Sequence, residues 1–259
     1  MTQATSVKTN RPTWVDLSTS DAAAARDFYS KVLGWHVEVN PDPLYGGYGL
    51  AKIDGRDAAG IGPAQSADQP TAWSMYVGTD DVEALAAKVT AAGGAVIAPP
   101  FDVGDQGRMA VFADPTGASI SAWQGTQMSG FQTTGAGAYG WSELTTTDID
   151  KALPFYKDVF GWDARRSPMP GGPDYIEFQL GGDSVAGAWA MDAEQMRGAP
   201  SFWMVYFSVD DVEAAFRTAV DNGAREVNAP QSYPGGTFAI VTDPQGAAFG
   251  LLDQEEHAG

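Results

Sequence analysis

The stretch WVDLSTSDAAAARDFYSKVLGW, from Trp14 to Trp35, decides the fold because it occurs twice. It returns 127 positions later as WSELTTTDIDKALPFYKDVFGW, from Trp141 to Trp162. The two copies carry the same residue type at several matched positions, which in the first copy are Trp14, Asp21, Phe28, Tyr29, Gly34 and Trp35. Self-similarity at a fixed spacing indicates a tandem duplication of one structural unit.

Each copy predicts one strand, one helix and three further strands. Residues 13–19 alternate between a polar and a more apolar face, as a half-buried strand does. Asp21 is a suitable cap for a helix with apolar residues at helical spacing, and Gly34 supplies its C-terminal stop. Turns containing Pro and Gly separate the three strands that follow, near residues 35–39, 47–54 and 57–62. The unit is therefore a βαβββ module.

A looser version of the module follows each copy. The segment WSMYVGT from Trp73 predicts a strand, Asp80 a helix cap, and three strands follow near residues 95–98, 107–113 and 118–123. A strand from Trp203 to Val209 begins the corresponding segment of the second half. The chain is thus predicted to be an α+β protein of four βαβββ modules, in which a linker at 125–138 joins domains at 11–124 and 139–253.

Composition narrows the classes of function. Thirty-three acidic and fifteen basic residues give a formal net charge of −18, which disfavours nucleic acid and anionic membrane surfaces as partners. No apolar run is long enough to span a membrane, and the absence of cysteine removes any disulfide framework. We therefore expect a soluble cytoplasmic protein that is a monomer or a homodimer. The same negative field would attract a cationic small molecule.

The order of strand, capped helix, FYxxVxGW, three strands and a DPxG hairpin resembles the vicinal oxygen chelate superfamily, also called the glyoxalase, bleomycin-resistance and dioxygenase superfamily. The resemblance covers residues 12–253 and includes DPTG at Asp114 and DPQG at Asp243. It implies two tandem domains whose curled mixed sheets surround concave pockets. That superfamily includes metal-dependent isomerases and dioxygenases as well as metal-free proteins that sequester antibiotics.

The resemblance also shows where metal ligands would lie, namely at the strand starts and in the last strands of the modules. In this sequence those positions are Trp14, Trp73, Gly60 and Ser121 in the first half, and Trp141, Trp203, Gly187 and Gly250 in the second. None is His, Glu or Gln, and indole offers no lone pair to zinc, nickel or iron. The two histidines, His36 and His257, lie elsewhere. We therefore predict no metal site and no cofactor.

Indole at these positions suits a flat guest. Indoles stack on planar aromatics and attract cations, and small residues opposite them leave room. Asp16 lies on the strand face of Trp14, and Glu143 takes the equivalent place beside Trp141. The predicted ligand-binding residues are Trp14, Asp16, Trp73, Met75, Ser121, Trp141, Glu143, Trp203 and Val205. The alternative for the tryptophans is core filling, since Trp is usually heavily buried.

Other motifs carry less information. GAGAYG, from Gly135 to Gly140, has the letters of a dinucleotide fingerprint but precedes a strand, so we interpret it as linker. With two histidines in unsuitable places and no cysteine, the sequence disfavours a serine or cysteine triad. Capping explains the acidic pairs at Asp80 and Asp210.

Three hypotheses remain. The leading one is a metal-independent protein of the bleomycin-resistance type that binds or sequesters a planar aromatic, drug-like natural product and is not an enzyme. The alternative is a metal-independent enzyme, of a lyase, isomerase or hydroxylase type, with Asp16 or Glu143 as general base. The third is a scaffold whose pockets are filled. The sequence leaves open the identity of the ligand and which modules pair.

Overall fold

The computed structural model describes residues 7–169, 172–191, 193–196 and 198–254. The first module consists of β1 (Pro12–Thr19), α1 (Ala22–Leu33), β2 (His36–Val39), the 3-10 turn Pro43–Tyr45, β3 (Gly49–Ile53) and β4 (Arg56–Pro63). The second consists of β5 (Ala72–Gly78), α2 (Val82–Ala91), β6 (Ala95–Val103), β7 (Gly107–Ala113) and β8 (Ser119–Gly125). Both modules follow the predicted order of elements.

The second half has the same order with one added helix. The third module consists of β9 (Tyr139–Thr146), α3 (Ile149–Phe160), β10 (Asp163–Ser167), β11 (Tyr175–Leu180), β12 (Asp183–Ala190) and the short α4 (Ala193–Met196). The fourth consists of β13 (Phe202–Ser208), α5 (Val212–Asp221), β14 (Arg225–Tyr233), β15 (Gly236–Thr242) and β16 (Ala248–Gln254). None of the helices in the described ranges is long and apolar enough to cross a membrane.

In the described part of the chain the strands form two mixed sheets of eight, which confirms the predicted α+β class. Their orders are β2-β3-β4-β1-β5-β8-β7-β6 and β10-β11-β12-β9-β13-β16-β15-β14. Within each module the first strand runs parallel to the last, as β1 does to β4 and β9 to β12. The remaining neighbours within a module are antiparallel, as β3 is to β4.

Aspartate caps begin the four long helices. The side chain of Asp21 accepts from the Ala24 amide at the start of α1, and Gly34 ends that helix with a φ of 71°. The prediction of Asp80 as the cap of α2 is wrong. Asp81 caps α2, and Asp80 instead accepts a hydrogen bond from the Thr9 hydroxyl. The cap must be the residue whose carboxylate reaches the amide three positions later.

The Cα packing of the chain separates two units, and each combines segments from both halves of the sequence. One unit consists of Met1–Trp14, Met75–Gly130 and Ser142–Trp203. The other consists of Val15–Ser74, Phe131–Trp141 and Met204–Gly259. In the second unit α1 packs against α5, and in the first α2 packs against α3. The domain boundaries at residues 124, 138 and 253 remain predictions from the repeat.

A chain of buried hydrogen bonds crosses the core of the second unit. The indole N–H of Trp73 donates to the Tyr29 hydroxyl at 2.9 Å, and that hydroxyl donates to Asp243 Oδ2 at 3.0 Å. The other carboxylate oxygen of Asp243 accepts from the amides of Gln245, Gly246 and Ala247. The DPQG turn is thereby fixed to helix α1, and a carboxylate that is only 1% exposed is fully satisfied.

The first unit contains the matching chain of bonds. Trp203 donates to the Tyr156 hydroxyl at 2.9 Å, and Tyr156 donates to Asp114 Oδ2 at 2.8 Å. Asp114 Oδ1 accepts from the amide and hydroxyl of Thr116. Burial, and then the negative charge of the adjacent aspartate, raise the pKa of Tyr29 and of Tyr156 well above the ordinary value of 10.0. Both tyrosines therefore stay protonated, as hydrogen-bond donors, over the physiological range.

Two further tryptophans fill the space beside these bonds. Trp35 stacks on Tyr29 with an interplanar angle of 25°, and its N–H donates to the Gly137 carbonyl. Trp162 stacks on Tyr156 at 11°, and its N–H donates to the Asn10 carbonyl. The prediction that Trp35 and Trp162 are packing residues is confirmed. The repeated FY and Gly-Trp positions of the sequence are thus explained by core structure.

Removing the tyrosine hydroxyl from either series of buried hydrogen bonds should destabilise the protein. Tyr29→Phe leaves the Trp73 N–H without its acceptor and takes one donor from Asp243, so we expect a loss of about 1–3 kcal/mol in the free energy of unfolding. Tyr156→Phe should give a similar loss, and the two losses should add because they fall in separate chains of bonds. Chemical denaturation measures them. A loss below about 0.5 kcal/mol would place these bonds among ordinary surface contacts.

The raised tyrosine pKa values predict a loss of stability in alkali. Below pH 10 tyrosine is protonated in both the folded and the unfolded chain, so the stabilisation is fully present. As the pH rises above 10 the unfolded chain loses these protons first, and the free energy of unfolding should fall by about 1.4 kcal/mol per pH unit for each buried tyrosine. Denaturation curves from pH 9 to 11 should fall less steeply for Tyr29→Phe than for the unaltered chain. Equal slopes would contradict the assignment.

Candidate functional site

The ladders show which residues share a strand face with the predicted site. Asp16 lies opposite Gly60 and Glu143 opposite Gly187 in the parallel pairs of the first and third modules. Tyr76 lies opposite Ser121, and Tyr206 opposite Gly250, in the second and fourth. The last-strand positions taken from the sequence therefore each lie opposite the first strand of their module. We name the four surfaces the β1, β5, β9 and β13 faces, after the first strand of each module.

The β1 face carries Trp14, Asp16 and Ser18. Trp14 is buried, with 3% of its surface exposed, and Asp16 is partly exposed. The Tyr48 hydroxyl lies 3.4 Å from Asp16 Oδ2. It can do so because position 60 is glycine, since a Cβ there would lie 1.7 Å from the Tyr48 hydroxyl oxygen. Tyr48 therefore covers the middle of this face.

The β9 face carries Trp141, Glu143 and Thr145. Both Trp141 and Glu143 are partly exposed. One row of the ladder reads Glu177, Gly187, Glu143 across strands β11, β12 and β9, and the next reads Tyr175, Trp189, Thr145. The rings of Tyr175 and Trp189 have centroids 5.3 Å apart and planes at 69°. This face thus combines two carboxylates, a glycine and a cluster of aromatic rings.

The electrostatics of the β9 face favour an ionised Glu177. Burial by itself would raise the pKa of Glu177, but hydrogen bonds from Ser184 and Gln179 and the charge of Arg165 outweigh it, so the pKa lies below its usual range. Arg165 Nη2 lies 2.9 Å from Glu177 Oε2, and the Arg165 side chain is largely exposed. Glu177 therefore remains a charged acceptor at the edge of the face.

The placement predicted for Trp73, Met75, Trp203 and Val205 is wrong. Side chains alternate along a strand, so Trp73 and Met75 point away from the face shared by Tyr76 and Ser121. All four are buried, and both indole N–H groups donate to core tyrosines. These residues belong to the core, which was the alternative reading for Trp73 and Trp203.

A shift of one residue produced this error. Trp14 and Trp141 lie seven residues before the helix caps Asp21 and Asp148. Counting seven back from the observed caps Asp81 and Asp211 gives Ser74 and Met204, one residue after each tryptophan. A slip of one residue exchanges the two faces of a strand. The second aspartate of each Asp-Asp pair was the signal that could have placed these positions correctly.

The β5 and β13 faces differ in the space beside their first strands. Ser121 is 2% exposed and lies opposite Tyr76 on the β5 face. On the β13 face the Tyr206 ring lies directly over Gly250, where a Cβ would be 1.9 Å from Tyr206 Cδ1. Tyr206 also packs edge-on against Phe238 at a centroid distance of 6.5 Å. Aromatic rings therefore line the β13 face as well.

Metal coordination does not fit the residues on these faces. In this chain other residues occupy the positions at which the superfamily binds metal. They are Trp14, Gly60, Ser74 and Ser121 in the first half, and Trp141, Gly187, Met204 and Gly250 in the second. Within the described ranges no group of three or more His, Cys, Asp and Glu side chains is arranged to hold a metal. His36 is exposed on edge strand β2, and His257 lies outside the described residues. The donors that zinc, nickel or iron require are thus missing from these positions.

Two surface grooves lie away from the four faces. One, of about 380 Å³, is lined by Asp150, Leu153, Pro154, Lys157, Trp162 and Ala164. The other, of about 240 Å³, is lined by Thr19, Ser20, Pro63, Ala64, Ser66, Ala67 and Gln69. Neither contains a carboxylate next to partly exposed aromatic rings on a strand face, so neither matches the predicted site.

The sequence matches the Glyoxalase/Bleomycin resistance protein/Dioxygenase superfamily over residues 11–121 and 138–251. It is 38% identical over 247 residues to the Mycobacterium tuberculosis (strain CDC 1551 / Oshkosh) protein named "Putative glyoxylase CFP32", covering 93% of this chain and 94% of that protein. It is 37% identical over 261 residues to the anthracycline biosynthesis protein DnrV of Streptomyces peucetius, covering 95% and 94%. Among solved structures, the Mn(II)-bound glyoxalase from Novosphingobium aromaticivorans has a TM-score of 0.66 at 18% identity, covering 95% of this chain and 82% of that one.

The close approach of Tyr48 to Gly60 predicts a strong coupling between these positions. Gly60→Ala places a methyl group where the Tyr48 hydroxyl lies, so we expect a loss of about 1–3 kcal/mol in the free energy of unfolding. In a protein that already carries Tyr48→Ala, the change Gly60→Ala should lower the free energy of unfolding much less, because the ring that it would meet is gone. Chemical denaturation of the four proteins completes the cycle. Additive losses would mean that Tyr48 does not lie on Gly60.

Proposed function

We propose, since the chain belongs to the Glyoxalase/Bleomycin resistance protein/Dioxygenase superfamily, that it binds and sequesters a planar aromatic small molecule without a metal ion. The proposed ligand is a drug-like natural product that carries a positive charge. The ligand would lie on a strand face where an indole adjoins a carboxylate. Its affinity would come from stacking and from charge, and the ligand would leave chemically unchanged.

The observation that carries this proposal is the set of residues at the positions where the superfamily binds metal. Indole, glycine, serine and thioether side chains leave too few donors for a transition metal. On the β9 face the same residue types suit a flat guest, because glycine at position 187 allows close approach and the partly exposed Trp141 provides a π-face. Asp16 and Glu143 would supply a counter-charge beside the rings.

The relatives support the class of ligand. DnrV of Streptomyces peucetius and DauV of Streptomyces sp. (strain C5) are named for anthracycline biosynthesis, and the chain is 37% and 36% identical to them. Anthracyclines are flat fused-ring aromatics, and those with an amino sugar are cations at neutral pH. The net charge of −18 would raise the local concentration of such a cation at the protein surface.

A second candidate is an enzyme that works without metal, with Asp16 or Glu143 as general base. Two relatives have names that favour catalysis, namely "Putative glyoxylase CFP32" and "Anthracycline biosynthesis protein DnrV". Tyr48, whose hydroxyl lies 3.4 Å from Asp16, would be the partner that orients such a base. Mass spectrometry of the ligand after long incubation separates the candidates, because a binding protein returns it at its original mass.

The direct test is a titration of the chelator-treated protein with daunorubicin, a cationic anthracycline, and with its uncharged aglycone. We expect both to quench tryptophan emission, with daunorubicin binding about tenfold more tightly because of the charge. The double variant Asp16→Asn with Glu143→Gln should reduce this difference to near onefold while the aglycone still binds. High salt should have the same effect on the unaltered chain.

Two results would count against the proposal. One is the absence of quenching by either compound at high micromolar concentration, with circular dichroism confirming that the protein is folded. The other is a stoichiometric transition metal in elemental analysis of the purified protein, accompanied by a loss of binding when that metal is removed by chelation. The second result would show that the ligand set had been assigned to the wrong residues.

A further inference from the structure

The two carboxylate-bearing faces are copies of one another that have diverged at a few positions. The residues that correspond at an offset of 127 are Trp14 and Trp141, Asp16 and Glu143, Tyr48 and Tyr175, Gly60 and Gly187. Two further matched positions differ in kind. Leu50 of the β1 face corresponds to Glu177, and Gly62 corresponds to Trp189. The same strand framework therefore presents two different surfaces.

The β1 face is closed by its own tyrosine. A Cβ at Gly60 would lie 1.7 Å from the Tyr48 hydroxyl, and a Cβ at Gly62 would lie 2.9 Å from Tyr48 Cδ2. The ring therefore lies along both glycines. Ser18, which is opposite Gly62 in the ladder, has its hydroxyl shut off from solvent and without a hydrogen-bond partner among the described residues. Trp14 on the same face is 3% exposed.

The β9 face cannot close in this way. Trp189 carries a whole indole at the position where even a Cβ would crowd the ring of the matched tyrosine. Tyr175 instead packs edge-on against Trp189, with ring centroids 5.3 Å apart. Both rings, together with Trp141, remain partly exposed. Replacing one glycine by tryptophan thus removes the cover and adds a stacking surface.

The charged residues of the two faces occupy different positions in the ladder rows. On the β9 face Glu143 and Glu177 flank Gly187 in one ladder row, about 9–10 Å apart across three strands. Arg165 on β10 is the neighbour of Glu177 in this same row and forms an ion pair with it at 2.9 Å. On the β1 face the matched row reads Glu38, Leu50, Gly60, Asp16, so its second carboxylate lies on edge strand β2, where Lys52 approaches it to 3.4 Å. The difference between the faces is therefore one of cover, and Glu143 lies beside the aromatic rings that remain partly exposed.

We propose that the β9 face is the one ligand site of the pair, with Trp189 as its stacking residue and Glu143 as counter-charge for a cationic planar aromatic, and that Tyr48 plugs the β1 face. This inference rests on the proposed function, because it assigns that function to one of two related surfaces. The residue at the position shared by Gly62 and Trp189 decides whether a face is plugged or binds the ligand.

Isothermal titration of the full chain with daunorubicin tests the assignment through stoichiometry. The unaltered chain should bind one molecule. Trp189→Gly, which restores the residue of the other face, should weaken this binding about tenfold or more, and Glu143→Gln should weaken it by a similar factor. Tyr48→Ala should leave the first binding event unchanged and add a second, weaker one. Tyr175→Ala, the matched control, should add none.

The outcomes separate this inference from the proposed function. If the unaltered chain binds daunorubicin but Trp189→Gly and Glu143→Gln bind as tightly, the β9 assignment is wrong while the function stands. Two molecules bound by the unaltered chain, or no second molecule after Tyr48→Ala, would refute the plug. No binding by any of these proteins, all folded by circular dichroism, would remove the proposed function and this inference with it.

Discussion

The structure depends on satisfying two buried carboxylates. Asp114 and Asp243 sit in the DPxG turns, 3% and 1% exposed, and each accepts a hydrogen bond from a tyrosine that itself accepts one from an indole N–H. A buried charge without partners would cost far more than a single hydrogen bond returns, so the tyrosine and tryptophan positions cannot vary independently. This requirement fixes Trp73 and Trp203 in the core and sets which face of β5 and of β13 remains for a ligand.

The proposed function rests on the side chains of the other faces. Because the core tryptophans do not contribute, the β1 and β9 faces have an indole and a glycine at the positions where related enzymes coordinate metal, and a carboxylate next to them. An indole beside a carboxylate suits a flat cation, which is why we propose sequestration as the activity of this chain. The superfamily fold permits either outcome, and the side chains on these faces decide between them.

The sequence predicted the architecture well because the signals were local and repeated. Alternation in β1, aspartate caps and the glycine at position 34 defined the modules, and the spacing to Gly60 and Gly187 placed the last strands correctly. The site was harder to predict, because a strand face depends on register to one residue, and the choice of Asp80 over Asp81 moved Trp73 to the wrong side. Tyr48, Tyr175 and Trp189 were missed because their roles depend on contacts between strands. The recurrence of Tyr48 at Tyr175 was a usable signal; the change of Gly62 to Trp189 acquires meaning only when the ladder is known.

Duplication explains why the difference between the faces is informative. The two copies share one framework, so the pairs Leu50 and Glu177, and Gly62 and Trp189, mark positions at which the two faces have diverged. The most direct measurement of the central claim is a crystal structure of the chelator-treated protein grown with daunorubicin. We expect the ring system to stack on Trp189 with its amino group near Glu143. A transition metal coordinated on the β9 face, or daunorubicin bound only at other residues, would contradict the account.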